Sequence, residues 1–232
     1  MNGRTFLTGD IHGGRNMGQL LRWHGIVGSD LTPEDVLLFV GDTGFGSAFM
    51  YPIMDNFIAR ANCTMAFVDG NHEDHLKLSG WETREMFGAD VGVGTDGVIH
   101  LRRGRVYTIN GRTFFCYGGA QSVDVEEAER TAYVDWWPEE VPTQEDFERA
   151  LDNLIAVDFK VDCILTHTAP KRIISLVGFE NGHKYNDPTA IHLTRFEELL
   201  RDFKNWYFGH FHIDRLVDGR FRALYNEVIE LL

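Results

Sequence analysis

Short apolar runs alternate with amphipathic segments over the first 70 residues of the chain. Apolar runs of strand length predict buried strands, and apolar residues at helical spacing predict helices that bury one face. The predicted order is a strand at 4–8, a helix at 16–27, a strand at 35–40, a helix at 51–60 and a strand at 64–68. Strands that alternate with helices are typical of βαβ units, which form a largely parallel sheet.

Hairpin signals are frequent in the rest of the chain. Strands are predicted at 98–101, 105–109, 113–117, 161–166, 205–208, 213–217 and 221–225, and helices at about 143–156 and 189–203. Asn110-Gly111 and Asp218-Gly219 are typical two-residue hairpin turns, and each joins two of these strands. The pattern favours a single α/β domain over residues 1–232, with either one mixed sheet or two sheets packed face to face and helices outside.

The charge, the apolar runs and the cysteines of the sequence disfavour several classes of protein. Lysine and arginine total 22 against 35 aspartates and glutamates, so the formal charge of the 232 residues is −13. This balance disfavours long nucleic acids as partners, because phosphate binding needs a basic surface. No apolar run is long enough to span a membrane, and the first ten residues lack the apolar stretch of a signal peptide. Three cysteines without CxxC spacing indicate free thiols, so we expect a cytoplasmic protein.

Five polar segments each follow a predicted strand. They are Gly9-Asp10-Ile11-His12-Gly13, Gly41-Asp42-Thr43-Gly44, Gly70-Asn71-His72-Glu73, Thr166-His167-Thr168 and Gly209-His210-Phe211-His212. Ligands of open α/β sheets bind beyond the carboxyl ends of the strands, so we expect the five segments to converge. Taken singly, each segment has a structural explanation, such as a helix cap for an aspartate or a left-handed turn for Asn71. The five together favour one shared site.

The residue types in these segments are metal ligands. Carboxylates, imidazoles and one amide oxygen, without a thiolate, suit Mn, Fe, Zn, Co or Ni. Asp10 and His12 are two positions apart, and so are His210 and His212. In extended backbone such pairs point to the same side, and can aim at one centre or at two metals about 3.5–4 Å apart.

The order of these motifs resembles a known family. The motifs Gly-Asp-x-His, Gly-Asp-x-x-Gly, Gly-Asn-His-Glu, a later single histidine and Gly-His-x-His occur in this order in calcineurin-like metallophosphoesterases, and here they span residues 9–212. The stretches 119–124, 136–140 and 165–170 look like those of a bacterial and phage subset. The resemblance implies a hydrolase of phosphoric esters with two mixed β-sheets packed face to face and flanked by helices.

The family pattern also implies two metal sites in this sequence. Asp10, His12 and His212 would hold one ion, Asn71, His167 and His210 would hold the other, and Asp42 would bridge them. A hydroxide between the ions would be the nucleophile, and His72 would protonate the leaving alkoxide as the general acid. The ions would be two divalent transition metals, with Mn or Fe favoured.

The second motif departs from the phosphoprotein phosphatase branch of the family. That branch continues Asp-Arg-Gly, and its arginine binds the substrate phosphate, whereas Thr43 follows Asp42 here. We therefore disfavour a protein serine/threonine phosphatase. A second aspartate of that branch is missing as well, which leaves open whether Glu73, Asp74 or neither of them orients His72.

Two irregular segments are the expected source of substrate contacts. Ser122 and Arg130 lie in the segment 120–142, and His183 lies in 180–188. Arg130 is either a bidentate phosphate clamp or a surface charge.

The predicted activity is hydrolysis of a phosphate ester, monoester or diester, of a small or nucleotide-like molecule. One alternative is a nuclease or nucleic-acid phosphatase, which a basic groove around Arg102, Arg103 and Arg105 would favour. The other is an inactive binding scaffold with the same fold, although scaffolds lose the ligands that this chain has. The sequence leaves the oligomeric state open.

Overall fold

Two β-sheets form the centre of the fold. The computed structural model of the chain describes residues 3–45, 50–125, 129–178, 187–200 and 202–232. These residues contain the strands β1 (Thr5–Thr8), β2 (Val36–Phe39), β3 (Thr64–Phe67), β4 (Glu82–Met86), β5 (Ala89–Val93), β6 (Ile99–Leu101), β7 (Arg105–Ile109), β8 (Arg112–Tyr117), β9 (Cys163–Thr166), β10 (Asn205–Phe208), β11 (Arg215–Val217), β12 (Phe221–Ala223) and β13 (Val228–Glu230). The first sheet has the strand order β13-β1-β2-β3-β6-β5-β4, and the second has the order β11-β12-β10-β9-β8-β7.

Helices cover the outer faces of the sheets. They are α1 (Gly18–Val27), α2 (Pro52–Arg60), α3 (His75–Ser79), α4 (Gln144–Ala156), α5 (Lys171–Leu176) and α6 (Pro188–Leu199). The predicted N-cap of α4 is confirmed, because Thr143 and Asp146 form a reciprocal capping box. Among the described residues, no helix has the length and apolar character that crossing a bilayer requires.

Three hydrophobic clusters show how these layers pack. On β2, Leu38 packs between the two sheets, whereas the adjacent Leu37 packs under α1 and α2. On the far side of the second sheet, Ile164 and Trp206 pack against α4, α5 and α6. Strands buried on both faces read as continuous apolar runs, which is why the sequence showed them clearly. The predicted fold, two mixed sheets packed face to face between helices, is therefore confirmed.

The topology brings the five polar segments to one end of the two sheets. β1, β2 and β3 are parallel neighbours in the first sheet, and β9 and β10 are parallel neighbours in the second. Hydrogen bonds between the loops join the segments in pairs. The His12 amide donates to the Asp42 carbonyl (2.8 Å), and the Gly209 amide donates to the His167 carbonyl (2.8 Å).

Several elements were absent from the sequence prediction. The hairpin of β4 and β5 was missed because β4 reads Glu-Thr-Arg-Glu-Met and its first four residues are exposed. Charged side chains on an edge strand hinder pairing with other chains, but they also remove the apolar alternation that predicts a strand. The short elements α3, α5 and β13 were missed as well, because three to six residues are too few to establish a period.

Candidate metal centre

Three groups of side chains place potential ligand atoms within 4.8 Å of one another at the carboxyl ends of these strands. The groups are Asp10, His12 and His212; His12, Asp42 and His72; and Asp42, His167 and His210. Asn71 joins the last group, since its Oδ1 lies 3.1 Å from His167 Nε2. The structure thus brings together all seven predicted ligands and His72, with Asp42 shared between two groups.

The first group brings together three ligand atoms that one cation could hold. The Nε2 atoms of His12 and His212 are 3.0 Å apart, and Asp10 Oδ2 lies 3.3 Å from His212 Nε2. Asp10 is fully buried, and its carboxylate also accepts the backbone N–H of His210. Burial lowers the pKa of His12, which favours the neutral imidazole that ligates metals.

The second group gives stronger evidence for a bound cation. His167 Nδ1 lies 2.7 Å from the Val40 carbonyl, which only accepts, so Nδ1 carries a proton. The other nitrogen, Nε2, then faces two oxygens, Asn71 Oδ1 at 3.1 Å and Asp42 Oδ1 at 3.3 Å. A neutral imidazole would direct its lone pair at both oxygens, so the arrangement calls for a proton or a metal ion. A histidine that donates its second nitrogen to a carbonyl is the usual form of a metal ligand.

The pKa directions describe a site that attracts positive charge. Burial lowers the pKa of His167, but the adjacent Asp42 outweighs burial and raises it to about 10. Burial also opposes ionisation of Asp42, yet the neighbouring His167 and His72 hold its pKa well below the usual range. Burial, followed by the nearby His167, lowers the pKa of His210 to about 3, so that ring is neutral. These nitrogen and oxygen donors fit divalent transition ions of the predicted kind.

The backbone of the ligand loops differs from the expectation. His12, Asp42, His210 and His212 have φ values of 46°, 50°, 67° and 51°, in the left-handed region that residues other than glycine seldom adopt. The premise that His210 and His212 share one side of extended backbone is therefore wrong. His210 groups with Asp42 and His167, whereas His212 groups with Asp10 and His12. Left-handed residues cluster at functional sites, where the surrounding structure holds the strain.

Two glycines allow the loops to approach the carboxylates closely. A Cβ atom on Gly70 would lie 2.2 Å from Asp42 Oδ1, and one on Gly209 would lie 2.2 Å from Asp10 Oδ1. Contacts this short are closer than any real side chain tolerates. The glycine that directly precedes a ligand therefore has a steric cause at these two positions.

Glu73 ties the second and third motifs together and does not hold His72. Its buried carboxylate accepts the backbone N–H groups of Thr43 (2.6 Å), Gly44 (3.2 Å) and Gly70 (2.5 Å), and the Thr43 hydroxyl (2.9 Å). Burial, followed by the nearby Asp42, raises the pKa of Glu73 to about 7. Asp74 is engaged elsewhere, as the N-cap of α3.

We expect Glu73→Ala to lower the free energy of unfolding of the metal-free protein by about 3 kcal/mol, because several buried N–H groups lose their acceptor. Asp74→Ala is the matched control and should cost about 1 kcal/mol, the usual value of an N-cap. Urea unfolding of both variants measures the difference. Equal losses in the two variants would contradict this role for Glu73.

Two of the three residues predicted to contact substrate, Arg130 and Ser122, lie at different places in the structure. Arg130 donates to His72 Nδ1 (3.2 Å) and forms an ion pair with Asp124. Ser122 is buried, and its hydroxyl contacts Asn71 and Glu140. His183 lies outside the described residues. Glu140 was not singled out as a contributor to the site, because an acid in an irregular polar stretch has no sequence signature.

A cleft of about 850 Å³ opens over the candidate centre. His12, His72 and His212 form part of its wall, together with Arg15, Arg130 and Tyr225. Tyr225 stacks on the His212 ring with the centroids 4.7 Å apart, which fixes one wall of the cleft. The volume is that of pockets that hold drug-sized ligands.

Comparison with known proteins adds one match. The family model of the calcineurin-like phosphoesterases matches residues 3–214, a span that includes every member of the three groups. A search of curated proteins found no match.

Proposed function

The chain belongs to the calcineurin-like phosphoesterase family, and we propose that it hydrolyses a phosphate ester of a small or nucleotide-like molecule with two divalent transition-metal ions. As a member of this family it is a hydrolase of phosphoric ester bonds. One ion would be held by Asp10, His12 and His212, the other by Asn71, His167 and His210, and both by Asp42. Mn or Fe suits these donors.

The observation that carries the proposal is the environment of His167. Its Nε2 faces the oxygens of Asp42 and Asn71, while its Nδ1–H is committed to the Val40 carbonyl. When bound, the ions would lower the pKa of a water towards neutrality and neutralise charge on the phosphoryl oxygens. The buried Asp10 and Asp42 would supply the negative charge that holds the two ions side by side.

His72 is suited to protonate the leaving oxygen. Its ring borders the cleft, about one third of its side chain is exposed, and its Nε2 lies 4.0 Å from Asp42 Oδ2. The Arg130 guanidinium has no lone pair, so the contact at 3.2 Å requires that His72 Nδ1 accept. In the neutral ring the proton then lies on Nε2, on the side of the candidate centre. Arg130, itself paired with Asp124, thus occupies the Nδ1 side of the ring, but it does not replace the missing aspartate, because a guanidinium cannot accept from a protonated Nδ1. Acid catalysis by His72 therefore requires that Nδ1 exchange the Arg130 contact for a proton.

The volume of the cleft and the pairing of three arginines elsewhere on the protein support a small substrate. The cleft volume of about 850 Å³ accommodates a nucleotide. A groove around Arg102, Arg103 and Arg105 is present, but these three arginines are paired with acids. Arg103 is bonded to Asp69, and Arg102 and Arg105 both pair with Asp90. Paired arginines contribute little to phosphate binding, so a long nucleic acid stays the less supported substrate.

The cellular location and domain extent are also part of the proposal. The three cysteines are free, and Cys116 and Cys163 are buried between the sheets. Free thiols are typical of a reducing compartment, which favours the cytoplasm. We treat residues 1–232 as one domain, because both sheets share the apolar layer between them.

A panel of aryl monoesters, aryl diesters and nucleotides, assayed with added Mn²⁺, tests the proposal. We expect hydrolysis of at least one class, loss of that activity on chelation, and recovery when Mn²⁺ is restored. A nucleotide should be a better substrate than a long single- or double-stranded DNA. Activity that survives complete chelation, or a marked preference for long DNA, would contradict the proposal.

A further inference from the structure

The orientation of the Asn71 side chain decides whether it can hold an ion. An amide has an oxygen that binds cations and an NH₂ group that repels them. Here the Asn71 Oδ1 faces His167 Nε2 at 3.1 Å, and Nδ2 faces the Ser122 hydroxyl oxygen at 3.0 Å. Asn71 is 4% exposed, so solvent contributes little to this choice. The partner at Nδ2 therefore determines which end faces the centre.

Glu140 fixes the direction of that hydrogen bond. Its carboxylate accepts the Ser122 backbone N–H at 2.6 Å and the Ser122 hydroxyl at 2.7 Å. A serine hydroxyl has one proton, and here that proton is directed at Glu140. The lone pairs of Ser122 Oγ are left to accept from Asn71 Nδ2. The three side chains thus form a directional relay, in which Asn71 donates to Ser122 and Ser122 donates to Glu140.

The side chains of the relay are buried, and Arg103 holds Glu140 in place through a further hydrogen bond. Ser122 is 7% exposed and Glu140 is 1% exposed. The carbonyl of Glu140 accepts from Arg103 Nη2 at 3.0 Å, and Arg103 is bonded to Asp69, two residues before Asn71. Burying a carboxylate costs several kcal/mol unless hydrogen bonds offset it. We therefore expect the buried Glu140 carboxylate to have a role in the site.

We propose that Ser122 and Glu140 are positioning residues, which hold the Asn71 amide with its oxygen towards His167 and Asp42 and so set the affinity for the second ion. This inference rests on the proposed function for the identity of the ion site. It gives Ser122, expected from the sequence to contact substrate, a role behind the centre. Substitution of such supporting residues typically weakens metal binding by about 10–100-fold.

Titration of the metal-depleted full-length protein with Mn²⁺ or Zn²⁺ tests the proposal in Ser122→Ala. We expect one ion to bind with wild-type affinity and the second to bind about 10–100-fold more weakly. Ser122→Thr keeps the hydroxyl and should restore the second site. The matched control is Ser79→Ala, whose exposed hydroxyl donates to the local Leu76 carbonyl, and it should bind both ions normally. Wild-type affinity for both ions in Ser122→Ala would overturn the proposal.

A second measurement separates this proposal from the proposed function. In the metal-free protein, the side-chain NH₂ of Asn71 should exchange slowly with solvent, and Ser122→Ala should speed that exchange. Unchanged exchange would overturn the relay even if the protein binds two ions. Faster exchange together with a wild-type protein that binds no ion would support the relay and reject the ion sites. Glu140→Gln should act in the same direction, and if it fails to fold, Ser122→Ala still decides.

Discussion

Replacing Asp42 by asparagine is expected to lower kcat/KM by about 1000-fold or more, the largest effect of any single ligand substitution. Asp42 is the one carboxylate that belongs to two of the three ligand groups among the described residues. Its loss would weaken the hold on both ions and remove several kcal/mol of charge stabilisation from the transition state. Steady-state kinetics on the best substrate of the panel, with saturating Mn²⁺, measures the change.

Asp135→Asn provides the matched control for that substitution. Asp135 lines the same cleft, but its carboxylate accepts the Thr131 backbone N–H and belongs to none of the ligand groups. Its variant should bind both ions as tightly as the wild type does. The Asp42 side chain also accepts the His72 backbone N–H, which an asparagine oxygen can still do, so folding should persist. Near-normal turnover of Asp42→Asn would refute a shared carboxylate.

The second large effect is expected from His72→Ala, and it depends on the leaving group. A general acid contributes about 100- to 10,000-fold when the leaving oxygen is a poor leaving group. An alkyl phosphate should therefore lose at least about 100-fold in kcat. A p-nitrophenyl ester should change little, because its leaving oxygen departs without a proton. The pair of substrates is assayed on the same protein sample, so each controls for the other.

The same experiment distinguishes two possible roles of His72, general acid and metal ligand. His72 falls within 4.8 Å of His12 and Asp42 atoms and so shares a ligand group with them. If His72 is the acid, metal content stays at the wild-type value in His72→Ala. Equal losses on both substrates, with a drop in bound metal, would make it a ligand instead.

The strand-end motifs carried most of what the sequence could predict. The parallel strands are continuous apolar runs, and each motif begins where one of these runs ends, so convergence followed from topology alone. Gly70 and Gly209 illustrate how closely the pattern reflects sterics, since neither position has room for a Cβ atom beside the aspartate it faces. The same reasoning failed for β4, whose polar sequence is that of an exposed edge strand.

What the sequence could not predict depends on side chains that meet from distant positions. Glu140 and Ser122 are 18 residues apart, and Arg130 reaches His72 across 58 residues. No periodicity or local spacing encodes such contacts in the irregular segment 120–142. For His210 and His212, only the premise of extended backbone was wrong, because both residues adopt the left-handed conformation. Their division between two groups agrees with the ligand sets that the family pattern implies.

The metal content of the purified protein tests the two-ion account most directly. After saturation with Mn²⁺ and removal of free metal, elemental analysis should find two transition ions per wild-type chain and at most one in Asp42→Asn. Asp135→Asn, treated identically, should again retain two. A wild-type content near zero, or two ions retained by Asp42→Asn, would contradict the account.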